Sequence, residues 1–176
     1  MTEKIIIAGS GGQGIMLLGK VLAEAAMREG RHVTWLPAYG AEVRGGTAHC
    51  MVIVSDEAIG SPYVVTADTL ILMNAPSLEK FKDRLDKKGL LVVNSSLAAT
   101  NNKSKEDKIE QPFTDIAIKM GNIKIANMIA LGCFISRENI VKLTTVSRVI
   151  SDIAPENKRD LVEINQKALQ EGAKLS

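Results

Sequence analysis

The sequence predicts an α/β fold: a three-layer Rossmann-like domain with a mostly parallel sheet that admits a mixed edge, and a helical C-terminal third. Three observations carry this. An apolar run, Lys4-Ile5-Ile6-Ile7-Ala8, passes through the glycine turn Gly9-Ser10-Gly11-Gly12-Gln13-Gly14 into a long amphipathic stretch from Ile15, the order strand, turn, helix. Two near-continuous apolar runs, at 69–73 and 90–94, have the composition of strands buried on both faces and flank a helical stretch. From Phe113 onward the chain carries three helical patterns.

Taken in order, Ile15, Leu18, Leu22 and Ala25 form a helical stripe with Val21 and Ala26, and Gly30 supplies a left-handed stop just past Glu29. The next strand is His32-Val33-Thr34-Trp35-Leu36-Pro37, and another spans 47–55, closed by Asp56-Glu57 and later by Gly60-Ser61-Pro62. The connection between these two is too short for a crossover helix, which predicts that the strands near Val33 and Val52 are antiparallel. After the run at 69–73, Asn74-Ala75-Pro76-Ser77 leads into a helix from about Leu78 to Leu85, and Lys87-Lys88-Gly89 closes it before the strand at 90–94. Residues 101–108 read as a polar surface loop, followed by a short edge strand near Ile109. The helical patterns of the last third run over 125–135, over Val146, Val149, Ile150 and Ile153, and over Leu161, Ile164 and Ala168 to Gly172. With no internal repeat or interdomain linker, residues 1–176 make one domain.

Composition narrows the function. With 45% hydrophobic, 24% charged and 3% aromatic residues, the chain has a soluble globular balance and too few rings for a base-stacking platform. A formal charge of +2 implies no polyanionic partner, so no nucleic acid is expected. No charged leader precedes an apolar core and no apolar run nears the roughly 18 residues of a spanning helix, so no membrane is expected and the cytoplasm is. Cys50 and Cys133 are far apart, without the C-x-x-C spacing that holds zinc or an iron–sulfur cluster, and read as buried free thiols.

The glycines at 9, 11 and 14 satisfy G-x-G-x-x-G in its proper strand–turn–helix context. There, backbone amides at a helix N-terminus meet an anion with no side chain between them. Gly9, Gly11, Gly12, Gln13 and Gly14 are therefore the anion- or cofactor-binding candidates. A nicotinamide reading also wants an acid at the end of the second strand, and that strand ends in Leu36-Pro37. The second informative stretch is Tyr39-Gly40-Ala41-Glu42-Val43-Arg44-Gly45-Gly46, placed after the second strand, where open α/β sheets put ligands. One account of it is structural: Glu42 and Arg44 tie the loop together and the glycines permit tight turning. The other is recognition: Arg44 held by Glu42 is a pre-oriented planar donor for a carboxylate or phosphate, and Gly45-Gly46 allow close approach. Tyr39, Glu42, Arg44, Gly45 and Gly46 are thus the ligand-or-interface loop. His32 and His49 form no visible triad or ligand pair, Met16, Met120 and Met128 sit in apolar company, and Asp68, Asn74 and Asn94 are lesser candidates for ligand contact. No catalytic residue and no metal ligand is assigned.

The two glycine-rich stretches, with Ser61-Pro62 and Asn94, resemble the gamma subunit of the 2-oxoacid:ferredoxin oxidoreductases. The resemblance covers most of the chain and is densest over 5–77 and 127–132. The paired signature Gly-x-Gly-Gly-Gln-Gly then Tyr-Gly-x-Glu-x-Arg-Gly-Gly is far more specific than the first run alone, and Trp35-Leu36-Pro37 ahead of it looks most like the 2-oxoglutarate enzyme. The resemblance implies a subunit of a cytoplasmic, anaerobic, heteromeric enzyme that decarboxylates a 2-oxoacid on thiamine diphosphate. Iron–sulfur clusters pass the electrons to ferredoxin and the acyl group goes to coenzyme A. It also implies alpha, beta and ferredoxin-like delta partners carrying the thiamine diphosphate, magnesium and clusters, with none bound by this chain alone and coenzyme A as a candidate shared ligand. Expressed singly, the chain is expected to be inactive and to form a homo-oligomer. Two other readings stay open: a free nucleotide-binding oxidoreductase, and a purely structural subunit whose glycine loops only permit close packing.

Overall fold

A computed structural model describes residues 1–38, 47–100 and 107–176. In chain order the elements are β1 (Thr2–Gly9), α1 (Ile15–Arg28), β2 (His32–Pro37), β3 (Ala48–Ser55), β4 (Ala67–Leu72), α2 (Ala75–Phe81), β5 (Leu85–Asn94), β6 (Asp107–Gln111), α3 (Phe113–Lys119), α4 (Ala126–Glu138), α5 (Leu143–Ile153) and α6 (Asp160–Gly172). The six strands form one sheet in the order β2-β3-β1-β4-β5-β6. β1, β4, β5 and β6 pair in parallel, whereas β3 runs against both β1 and β2. The antiparallel pair expected from the short β2–β3 connection is therefore present, and the sheet is mixed.

The strand sequences explain which faces are covered. Ile5, Ile6, Ile7 and Ala8 of β1 are all fully buried, as are Leu70, Ile71 and Leu72 of β4, because both sheet faces carry a core. On one face Ile5, Ile7, Val52, Val54, Ile71 and Val92 pack against α1, α3, α4, α5 and α6. On the other, Ile6, Ala8, Met51, Ile53, Leu70 and Leu72 meet Phe81 of α2 together with Val64 and Ile59 of the β3–β4 connection. The three layers are thus unequal, five helices opposing one.

Three elements depart from the sequence expectation. α2 begins at Ala75, three residues early, because Asn74 caps it: the Asn74 Oδ1 accepts the Ser77 N–H at 3.0 Å and Pro76 fits the first turn. The helix ends at Phe81 and a single 3₁₀ turn leads into β5 at Leu85, so Lys87-Lys88-Gly89 does not close a helix. It marks an irregularity instead. Leu85 pairs with Ala67 and Leu90 with Thr69, leaving 86–89 opposite Asp68 alone, and a Cβ on Gly89 would lie 2.7 Å from the Asp68 carbonyl oxygen. Third, α3 is a seven-residue helix, too short for periodicity to reveal, fixed by the buried Phe113, Thr114 and Ala117. The edge strand near Ile109 and the three later helices stand where expected, and Gly30, at φ 80°, follows Glu29 as the left-handed stop of α1.

Glu3 of β1 is half-buried at the amino end of the parallel strands, where its Oε1 accepts the Thr69 hydroxyl at 2.6 Å. Burial raises its pKa from 4.5 to about 7, with Asp68 and Glu138 adding to the rise and the Thr69 hydrogen bond opposing it. A folded pKa above the unfolded one means that stability is complete below about pH 4.5 and falls as pH rises to about 7, where the folded carboxyl also ionises. Glu3→Gln should flatten that fall: melting temperatures of variant and parent compared near pH 5 and near pH 8 should differ by more at the higher pH, with the variant on top.

Candidate switch-point site

β1 hands the chain to α1 on one sheet face and β4 hands it to α2 on the other, so the carboxyl ends of these adjacent parallel strands open a crevice of the kind where α/β sheets bind ligands. The glycine turn stands at its lip. The Ser10 N–H donates to the Gln13 Oε1 at 2.7 Å, and the Gln13 Nε2 donates across the crevice to the Met73 carbonyl at 3.1 Å. That carbonyl also accepts the Asn94 Nδ2 at 3.1 Å. Asn94, fully buried, donates further to the Thr114 Oγ1 at 2.8 Å and accepts the Thr114 N–H at 3.2 Å. One chain of hydrogen bonds thus links the glycine turn, the end of β4, the end of β5 and the first turn of α3. Sequence placed Asn94 at the ligand side of the sheet; its amide is consumed in holding that side together, and Asn74 is consumed in capping α2.

The glycines of the motif divide into two kinds. A Cβ on Gly9 would meet the Gln13 Oε1 at 2.5 Å and the Ile15 Cδ1 at 2.7 Å, so Gly9 makes room for the bridging glutamine. Gly14, the N-cap of α1, is left-handed at φ 70° and ψ 28°. A Cβ there would collide with the Asn127 amide, which donates to the Gly14 carbonyl at 3.1 Å while its oxygen accepts the Met128 N–H at 2.9 Å. Gly11, by contrast, has nothing within 4 Å of an added Cβ, and both Gly11 and Gly12 are exposed. α1 starts with no side-chain cap and no acid in its first turn, so the positive end of a 14-residue helix faces this open part of the loop. Asn127 was missed as a site residue; its signal in sequence is a lone amide within the apolar run 125–131.

Tyr39, Glu42, Arg44, Gly45 and Gly46 lie outside the described residues. The flanks of that segment are described: the Ala38 N–H donates to the His49 carbonyl at 3.0 Å, and Ala48 is in register with Gly9. Both ends of the second glycine-rich stretch therefore leave the sheet at the level of the first. The remaining candidates are placed elsewhere. Cys50 and Cys133 are free and buried, with burial pushing their thiols up to about 12 and about 11, which makes both poor nucleophiles. His49 is buried against Phe81, ring centroids 5.0 Å apart, and His32 opens β2 at the far end of the sheet. Asp68 accepts the Lys4 N–H at 2.8 Å near that far end. Met128 is core, with Met16 and Met120 packed on it. Among the described residues no group of three metal-ligating side chains occurs, so they do not fit a metal or cluster, and no helix is long and apolar enough to cross a membrane.

Known proteins are similar to this chain in sequence and fold. The chain is 37% identical over 171 residues to ketoisovalerate oxidoreductase subunit VorA of Methanothermobacter thermautotrophicus, covering 97% of this chain and 35% of the relative. It therefore spans about a third of the length of the VorA relatives it matches. The crystal structure of the gamma subunit of a keto/oxoacid ferredoxin oxidoreductase from Geobacter sulfurreducens superposes with a TM-score of 0.84 at 28% identity, covering 98% of this chain and 96% of that one. A 2-oxoglutarate:ferredoxin oxidoreductase from Magnetococcus marinus, solved with 2-oxoglutarate, coenzyme A and succinyl-CoA bound, gives 0.89 at 26% identity, covering 99% of this chain and 31% of that one. The family described as pyruvate ferredoxin/flavodoxin oxidoreductase matches residues 4–175, which takes in the glycine turn, its amide network and every helix; the chain belongs to that family, and its resemblance to gamma subunits of 2-oxoacid:ferredoxin oxidoreductases is borne out.

Proposed function

We propose that this chain is the gamma subunit of a cytoplasmic multi-subunit enzyme that oxidatively decarboxylates a 2-oxoacid, 2-oxoglutarate ahead of branched-chain oxoacids, with coenzyme A as acyl acceptor and ferredoxin as electron acceptor. Thiamine diphosphate with magnesium and the iron–sulfur clusters, on alpha, beta and ferredoxin-like delta partners, supply the carbanion stabilisation and electron transfer. This chain's part is binding and assembly. The observation that carries the reading is the open stretch Gly11-Gly12 at the uncapped start of α1, level with both ends of the segment bearing Arg44. Backbone amides at a helix start suit a phosphate of coenzyme A, and a planar guanidinium such as that of Arg44 is the side chain suited to share it. A free dehydrogenase is disfavoured, because Gln13 already spans the crevice and β2 ends without a ribose-binding acid.

A purely structural role for the glycines draws support from Gly9, where an added Cβ would be crowded, and from Gly14, where crowding adds to a left-handed backbone. Gly11 separates the two readings. Gly11→Ala should leave the melting temperature within about a degree, as expected for an open surface site. In the complex reconstituted with its partner subunits it should raise the KM for coenzyme A severalfold. Viologen reduction with 2-oxoglutarate and with 2-oxoisovalerate, each with and without coenzyme A, is the assay. An unchanged KM for coenzyme A leaves the loop structural, and equal turnover of both oxoacids removes the substrate preference. Singly expressed chain should be inactive and form a homo-oligomer, and turnover by it alone would sink the subunit reading.

A further inference from the structure

Behind the first turns of α1, away from the glycine loop, α1, α4, α5 and α6 leave a cavity of about 210 Å³ between them. Its floor is apolar: Val21, Ile125, Met128 and Ile150 are all buried. Its rim differs. Lys124 comes from the 3₁₀ turn ahead of α4 and Lys158 from the one ahead of α6; both are exposed, and neither has a carboxylate partner among the described residues. Of the two rim amides, Asn122 has its Oδ1 engaged by the Lys124 N–H, which leaves its NH₂ to donate outward, whereas the Asn165 Nδ2 already donates to the Leu161 carbonyl at 2.7 Å. Two lysines and one amide donor thus stand at the mouth of an apolar hole.

We propose that this cavity binds an amphipathic monocarboxylate, its tail among Val21, Met128 and Ile150 and its carboxylate between Lys124 and Lys158. An apolar cavity of about 150 Å³ holds a benzene ring, so the space here suits a linear or branched tail of about six to eight carbons. The proposal is independent of the reading of the glycine loop, with which the cavity shares a helix but no residue.

The test is NMR titration of the isotopically labelled full chain with octanoate, octanol and acetate. Octanoate should give saturable shifts at Val21, Met128 and Val162, and acetate, lacking the tail, none there. Octanol should bind about fivefold more weakly, the ratio expected for exposed charge contacts. Lys124→Gln combined with Lys158→Gln, both surface changes that leave the fold intact, should bring octanoate down to the affinity of octanol. Val162→Phe, which fills the space, should abolish both. Shifts that fail to saturate by about 10 mM octanoate, the millimolar edge of specific binding, would overturn the proposal. So would octanoate affinity that survives the double lysine substitution.

Discussion

Gly132→Ala and Gly172→Ala should each lower the melting temperature by on the order of 10 °C, the largest single-residue effects expected in this chain. α4 and α6 cross so closely that a Cβ on Gly132 would fall under 3.0 Å from the Leu169 carbonyl, and one on Gly172 under 3.0 Å from the Ile129 carbonyl. The obstacle in both cases is helix backbone, which cannot rotate aside, and residues 126–135 of α4 are buried throughout. The helices must separate, which places the cost near the top of the usual range for overpacking, about 3 kcal/mol. At roughly 2–4 °C per kcal/mol for a chain of this length, that is about 6–12 °C. Because the two glycines face each other across one crossing, the double variant should lose clearly less than the sum, the second methyl entering space the first has opened. Gly60→Ala is the control, with nothing within 4 Å of its added Cβ. Calorimetry on the four variants decides it; single variants melting within a degree or two of the parent would mean that the crossing is not this close.

Asn94→Leu should cost about 3 kcal/mol, since it strands several buried groups at once. The Thr114 N–H and hydroxyl lose their partner outright, while the Met73 carbonyl keeps the Gln13 amide. Asn94→Asp makes a sharper test, because it keeps the shape and removes the donors. Burial and the facing Met73 carbonyl would hold the new carboxyl's pKa above its unfolded value of about 3.9, so the deficit should be small near pH 4 and grow as pH rises to 7. Denaturant unfolding at the two pH values reads this directly. A deficit independent of pH would mean that the side chain reaches solvent after substitution.

These three residues show where sequence stops being informative. The strand–turn–helix entry was legible because each of its parts is local: four consecutive apolar residues, a glycine turn, and a helical stripe ending at a left-handed glycine. β4, the inner half of β5 and the last three helices were legible for the same reason, and the antiparallel β2–β3 pair followed from connection length alone. What stayed hidden depends on residues far apart in the chain. Gln13 reaches Met73, Asn127 reaches Gly14, and Gly132 meets Leu169, and no local pattern announces any of these. α3 was hidden by its brevity, and the start of β5 by a Lys-Lys-Gly run whose glycine accommodates a strand irregularity and not a helix stop. Within the candidate site, sequence found the glycines; the division between those that are crowded, Gly9 and Gly14, and those left open, Gly11 and Gly12, needed the packing.

The reversal of β3 has a consequence for how this protein can diversify. Its connection to β2 starts and finishes on strands already hydrogen-bonded to each other, with Pro37 opposite Cys50 and the Ala38 N–H on the His49 carbonyl. The ladder, not the connection, holds those ends together. Lengthening such a closed segment is entropically mild, about 0.6 kcal/mol for each doubling. An insertion between Ala38 and Thr47 is therefore expected to add little closure entropy to the cost of folding.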